Sequence, residues 1–353
     1  MSGATMNALV LHAVGDVRLE KIALPEPAAG HVRVRVGFCG VCGSDIPRVF
    51  IKGTYRFPTV CGHEFAGSVE ALGEGVDDLE PGDPVAVFPL IWCGQCPACE
   101  QGHYVQCHDY DYLGSRRDGA FAEYVVAPRR NLLRVPDGVS LEEAAMTEPA
   151  SVALHALRRG GGSMPGETVA VFGAGPIGLM VAQWARAMGA SHVLLFDIVP
   201  GKLELARSLG FSEAHDSRHE APLERILALT GGAGAHLTVE AAGVPQTLLE
   251  AAGAARRGGR VVLLGNPSGE VTLSAPLISQ LLRREVSLHG TWNSDFSPAG
   301  NDDDWHTTLE AMRTRAIDLR PLVTHRVSLD RSLETLEMMR DGREFYSKVL
   351  IQP

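Results

Sequence analysis

Residues 168–178 read Thr-Val-Ala-Val-Phe-Gly-Ala-Gly-Pro-Ile-Gly. The five residues 168–172 form a short apolar run, the length of a buried strand. Glycines at 173, 175 and 178 then demand a tight turn, and the residues through about 188 take a helical pattern. Extended to 185, this is the longest uncharged stretch of the chain, and its length invites a membrane reading. Gly173, Gly175, Pro176 and Gly178 interrupt it, and only its second half looks helical, so that reading is rejected. The alternation continues downstream. Residues 192–197 form another apolar run, 202–209 a helix, and 237–240, 260–264 and 286–289 three more strand candidates with helical segments between them. Strand and helix in alternation imply an α/β domain with a doubly wound parallel sheet.

Outward from this stretch the character changes. Up to about residue 149 the chain reads as short strands and turns. Residues 31–36 alternate strictly, with Val32, Val34 and Val36 on one face and Arg33 and Arg35 on the other. Past about residue 291, segments 305–313 and 332–340 read as helices and 347–351 as a last strand. That tail is too short for a domain of its own and is expected to return to the first one. The formal net charge of −10 argues against nucleic-acid backbones and anionic membranes as partners. Hydrophobic residues at 45% and charged residues at 21% exclude disorder as the main state. The first seven residues lack a charged start followed by an apolar run, so a cytoplasmic location is expected. Cysteines in that compartment are more often metal ligands or reactive groups than disulfides.

Gly173-Ala-Gly175-Pro176-Ile177-Gly178 fits Gly-x-Gly-x-x-Gly, and its place between a strand and a helix gives the pattern its meaning. The first glycine allows the turn, the second lets backbone approach a pyrophosphate, and the third lets the helix lie close to the sheet. The free N–H groups at the helix start then face the phosphates. Asp197, nineteen residues past Gly178, stands where a carboxylate accepts ribose hydroxyls. A carboxylate there repels a 2′-phosphate, and Ile198 and Val199 offer no arginine, so NAD is expected over NADP. Lys202 keeps some NADP use open. The competing reading is a structural glycine turn with a surface aspartate.

Cys93, Cys96, Cys99 and Cys107 hold four of the seven cysteines in fifteen residues. Four thiolates leave no open coordination position, so a zinc ion here is structural. An iron–sulfur cluster is the competitor, but the fourth cysteine is displaced from the bacterial cluster spacing and no proline follows it. Disulfides are a third reading.

Cys42-Gly-Ser44-Asp45, Gly62-His63-Glu64 and Thr147-Glu148-Pro149 have no local spacing that ties them together. Each alone reads as a buried thiol, a hydrogen-bonded ring or a surface carboxylate, and Cys39-Gly-Val-Cys42 also has redox spacing. Together with Gly62-His-Glu-Phe-Ala-Gly67, the cysteine lobe, Asp118-Gly-Ala-Phe-Ala-Glu-Tyr124 and the glycine turn, their order resembles the zinc-dependent medium-chain dehydrogenases over the full length. Segments 42–50, 114–119, 241–247 and 321–326 are most similar to the polyol branch, in particular to galactitol-1-phosphate 5-dehydrogenases. The resemblance implies a GroES-like β-rich catalytic domain from residues 1–152 and 292–353, with a Rossmann dinucleotide-binding domain at 153–291 inserted between them. It implies a catalytic zinc on Cys42, His63 and Glu148, with Glu64 beside it, and hence two zinc ions per chain. Asp45 is implied to hold the second ring nitrogen of His63, and Ser44 to accept the substrate hydroxyl proton. Many relatives continue a proton relay with a histidine at the position of Pro47, which has neither a donor nor a titratable group.

The implied reaction is hydride transfer from a secondary hydroxyl of a polyol or polyol phosphate to NAD, giving a ketose. A phosphate needs local cations, for which Arg116 and Arg117 are the first candidates and Arg48 and Lys52 further ones; the bland reading is a solvated basic turn. Trp292, Asn293 and Trp305 are candidates to line the substrate pocket, with core packing the alternative for the tryptophans. Unphosphorylated polyols, threonine or another secondary alcohol remain open, as do a zinc-free quinone reductase and a non-catalytic NAD sensor. A homodimer or homotetramer is expected, with the 286–289 strand as a pairing edge.

Overall fold

The computed structural model describes residues 3–300 and 302–353. Its contacts divide the chain into two units: Met1–Glu148, Asp295–Arg315 and Val323–Pro353 form one, and Pro149–Ser294 with Ala316–Leu322 the other.

In the second unit, the run Thr168–Phe172 is a fully buried central strand. It pairs in parallel with His192–Asp197 on one side and Ala235–Glu240 on the other. Ala214–Asp216, Ala255–Leu263 and Ser287–Gly290 complete a six-stranded parallel sheet. In order of appearance its strands lie 3-2-1-4-5-6, so the order reverses beside Thr168–Phe172, where an open α/β sheet leaves a crevice at its carboxyl ends. Two differences from the sequence reading have local causes. Ala214–Asp216 is too short and polar to show any period. The strand expected at 260 begins at Ala255, because a register shift opposite Ala235 and Leu237 lets the Arg-Arg-Gly-Gly segment join the ladder.

The first unit is built around the strand His31–Gly40, which pairs antiparallel with Glu64–Leu72, Tyr124–Pro128 and Lys348–Gln352. The last of these also pairs in parallel with Val323–Ser328, so the C-terminal tail is part of this sheet. Val32, Val34 and Val36 are buried as the alternation predicts. Arg33 is buried as well, against the simple reading of an outward face, because its guanidinium bonds Glu70 (2.5 Å), Glu26 (2.9 Å) and the Pro25 carbonyl (3.0 Å). Buried charges persist only when paired in this way. Trp305, a candidate pocket residue, lies instead in an aromatic core: its ring meets Phe88 edge-on at 5.3 Å, and Phe88 stacks on Phe296 at 4.5 Å. Among the described residues no helix is long and apolar enough to cross a membrane.

Candidate active site and metal centres

Strand register explains how distant residues meet in the first unit. Gly40 lies opposite Glu64 on one neighbouring strand and opposite Leu350 on the other. Cys42 follows Gly40 by two residues, His63 precedes Glu64 by one, and Lys348 precedes Leu350 by two. The pairing therefore delivers a thiol, an imidazole, a carboxylate and an ammonium to one place. A Cβ on Gly40 would overlap the Glu64 carboxylate and stand 2.8 Å from Lys348 Cε, so a side chain there would displace this buried pair.

The ligand atoms of Cys42, His63 and Glu64 all lie within 4.8 Å of one another. Glu64 (1% exposed) pairs with Lys348 (2% exposed) through Oε2, and Lys348 also donates to the Val41 carbonyl at 3.3 Å. Glu148 stands beside this trio and not within it. At the start of the helix Thr147–Arg159, its Oε1 accepts from the Tyr112 hydroxyl at 3.3 Å. The Tyr112 ring sits edge-on to His63 at 5.9 Å. Burial, with nearby Glu64 adding to it, pushes the Glu148 carboxyl up to about 7. Glu64 thus has its own cation, whereas the only hydrogen-bond partner of Glu148 among the described residues is a neutral hydroxyl.

Asp45 is fully buried and opens the helical turns 45–52. Its Oδ2 accepts from the Cys42 N–H at 3.0 Å, while Oδ1 faces His63 Nδ1 at 3.6 Å and pairs with Arg48. His63 Nδ1 has no closer partner among the described residues. Burial opposes both charges, yet Asp45 holds the imidazole well above its ordinary range, and His63 and Arg48 hold the Asp45 carboxyl low. Ser44 is exposed at the turn start.

The cysteine lobe passes a geometric test for zinc. Tetrahedral Zn–S bonds of about 2.3 Å require sulfurs about 3.8 Å apart. Three of the pairs, Cys96–Cys99, Cys96–Cys107 and Cys93–Cys99, stand at 3.5, 3.9 and 4.0 Å. Backbone N–H groups also point at the sulfurs, as a thiolate cluster requires. Those of His108 and Cys99 pull the Cys96 thiol down to about 6, and the Cys93 N–H reaches Cys107 Sγ at 3.3 Å.

In the second unit, Gly173 has φ 106°, which an L side chain resists. A Cβ on Gly178 would overlap the Gly173 carbonyl oxygen, whereas one on Gly175 would meet nothing within 4 Å. The third glycine thus serves packing and the second leaves open space. Pro176 starts the helix Pro176–Ala187, with Ile177 after it. Asp197 ends its strand and accepts from the N–H groups of Ala174 (2.8 Å), Ile198 (2.8 Å) and Val199 (2.9 Å), with Lys202 Nζ at 3.5 Å. Its carboxylate therefore braces the glycine turn.

The substrate candidates divide between the units, Arg116 and Arg117 in the first and Trp292 and Asn293 in the second. Arg117 is exposed and pairs with Asp111. Arg116 lies between the rings of Tyr55 and Tyr110, 4.3 Å from each, and donates to the Tyr110 carbonyl. Both line a cavity of about 450 Å³ that also contains Cys93, Asp109 and Asp111, so acids balance its cations. Trp292 is 61% exposed, and Asn293 has φ 57° with its side-chain oxygen accepting from the Ser294 N–H. Sequence reasoning missed Tyr112 and Lys348. Lys348 lies 284 residues from its partner, and its only signal is a lone cation heading an apolar strand.

Residues 28–137 match the alcohol dehydrogenase GroES-like domain, and residues 176–314 match the zinc-binding dehydrogenase domain. The galactitol 1-phosphate 5-dehydrogenase of Escherichia coli (strain K12) is 38% identical over 326 residues, covering 92% of this chain and 94% of the relative. The sorbitol dehydrogenase of Bacillus subtilis (strain 168) is 33% identical over 356 residues, covering 99% and 97%. The crystal structure of galactitol-1-phosphate dehydrogenase from Escherichia coli superposes with a TM-score of 0.91 at 36% identity, over 99% of this chain and 100% of that one. That of a zinc-binding dehydrogenase from Sinorhizobium meliloti 1021 bound to NADP gives 0.91 at 30% identity, over 99% and 100%.

Proposed function

The chain belongs to the zinc-binding alcohol dehydrogenase family, and from that premise we propose that it moves a hydride from a secondary hydroxyl of a polyol or polyol phosphate to NAD, leaving a ketose. The observation that carries this reading is the convergence of Cys42, His63 and Glu64 beside Asp45 and Ser44. Cys42, His63 and Glu148 are the proposed zinc ligands. Glu64 is already paired with Lys348, whereas Glu148 is buried with only the Tyr112 hydroxyl bonded to it and no direct ion pair among the described residues, and fits a metal ion as its counter-charge. Zinc bound there supplies a Lewis acid that lowers the pKa of the substrate hydroxyl. The turn from Gly173 to Gly178 would hold the pyrophosphate of NAD and Asp197 its ribose, and the nicotinamide would supply the hydride acceptor. Asp45 orients His63, and Ser44, exposed to water, takes the hydroxyl proton outward. The second zinc sits on Cys93, Cys96, Cys99 and Cys107 and has a structural role.

The polyol class comes from the relatives named above. A phosphorylated substrate, as in the Escherichia coli relative, would need a cation at the site. Arg117, exposed and paired with Asp111, and Arg116, held between Tyr55 and Tyr110, are the cations proposed for that role, and an unphosphorylated polyol is the second reading. The test is NAD⁺ reduction across a panel of polyols and their phosphates, repeated after chelation. The expected result is turnover of at least one secondary polyol, lost with the metal. Turnover that survives complete zinc removal overturns the reading.

A further inference from the structure

Ser44 caps the helical turns 45–52, and the Arg48 side chain reaches back to both Ser44 and Asp45. Arg48 is only 18% exposed along its side chain. Its Nη1 pairs with Asp45 Oδ1, and its Nη2 reaches Ser44 Oγ at 3.4 Å. Two consequences follow from the geometry. First, Oδ1 is the Asp45 oxygen that faces His63, and it stands 3.6 Å from Nδ1, beyond a good hydrogen bond. The other oxygen is occupied by the Cys42 N–H. Arg48 and His63 therefore address the same carboxylate oxygen, and Arg48 holds it more closely than the ring does. Second, Arg48 is the only donor to Ser44 Oγ among the described residues, and Pro47 beside it has none to offer.

We propose that Arg48 is a positioning residue that holds the Asp45 carboxylate partly off His63 and orients the Ser44 hydroxyl by donating to its oxygen. The proposal rests on the reading of Cys42 and His63 as a dehydrogenase metal site. A carboxylate bonded fully to a ligating imidazole raises the basicity of that ligand and tightens metal binding. By drawing Asp45 away, Arg48 leaves His63 a weaker donor. A guanidinium does not titrate in a protein, so Arg48 carries no proton itself. It turns one lone pair of Ser44 Oγ toward itself and leaves the other for the substrate hydroxyl. As the substrate O–H proton passes to Oγ, the proton already on Ser44 leaves for bulk water, and the serine ends the step neutral.

The test compares wild type, Arg48→Met and Arg48→Lys as zinc-loaded enzymes. Zinc release to a chromophoric chelator is followed, and Cys42→Ser identifies the phase that belongs to the Cys42 site. Freed from Arg48, Asp45 closes on His63. Release from that site in Arg48→Met is therefore expected to slow by roughly tenfold. A residue that merely supports the fold would speed release when removed. In the same variant kcat for NAD⁺ reduction is expected to fall by about tenfold or more with little change in KM, and added guanidinium ion to restore part of it. Arg48→Lys keeps the charge and the stem, but one ammonium cannot serve Asp45 and Ser44 together, so it shifts zinc release in the same direction by a smaller factor. Faster or unchanged release in both variants overturns the inference. A wild-type chain that holds no zinc at Cys42 overturns the underlying reading instead, so the two failures are distinct.

Discussion

The glycine turn allows a prediction in which two neighbouring substitutions of the same kind damage different properties. In Gly178→Ala, the new Cβ falls on the Gly173 carbonyl oxygen, far inside the 3.0 Å that real Cβ atoms respect. That oxygen is backbone, pinned in a turn braced by Asp197, and cannot swing away as a side-chain tip would. Overpacking of this kind costs about 1–3 kcal/mol, and a rigid partner places it near the upper end. Helix propensity returns about 1 kcal/mol, because Gly178 lies inside the helix Pro176–Ala187. The expected net loss is about 2 kcal/mol. In Gly175→Ala the backbone is extended (φ −69°, ψ 179°), which alanine adopts freely, and the Cβ meets nothing within 4 Å. Stability should stay within about 0.5 kcal/mol. The methyl now occupies the space reserved for the pyrophosphate, so NADH affinity should fall at least tenfold, about 1.4 kcal/mol. Urea denaturation measures the first effect and NADH fluorescence titration the second. If Gly175→Ala binds NADH as wild type does, or Gly178→Ala is as stable as wild type, the division of roles between these glycines is wrong.

Other outcomes follow from the same structure. Lys348→Met strands the buried Glu64 carboxylate and should cost roughly 3–5 kcal/mol by chemical denaturation, and adding Glu64→Gln should recover part of that loss. Cys96→Ser should remove one zinc by metal analysis and lower the thermal midpoint without abolishing NADH binding, since the cysteine lobe and the glycine turn belong to different units. The strand Ser287–Gly290 lies at the edge of its sheet with Leu288 42% exposed, so Leu288→Lys should shift sedimentation toward a smaller species if copies pair there.

What the sequence made legible follows from how local each signal is. The turn from Gly173 to Gly178 is local: strand, glycines and helix are contiguous, and Asp197 follows at the end of the next strand. The cysteine lobe is local too, and its four sulfurs do converge. Cys42, His63 and Glu64 meet only through the register of Gly40 with Glu64, which no local spacing encodes, and resemblance alone joined them. Lys348 was invisible because its role is set by a third strand at the far end of the chain. Arg33 shows the limit of periodicity, since alternation assigns a face but does not reveal that Glu70 and Glu26 will cover it. Arg116 and Arg117 stand out in the sequence as adjacent cations, yet what each offers a ligand depends on Asp111, Tyr55 and Tyr110, which charge counting does not weigh.

Hydride transfer is proposed to depend on a zinc ion held by Cys42 and His63. Zinc content and NAD⁺ reduction, measured together on wild type and Cys42→Ser, test it most directly. About two zinc per chain are expected in the wild type and about one in the variant, with NADH binding kept and turnover lost. A Cys42→Ser protein that retains both zinc ions and reduces NAD⁺ at the wild-type rate would show that Cys42 holds no catalytic zinc.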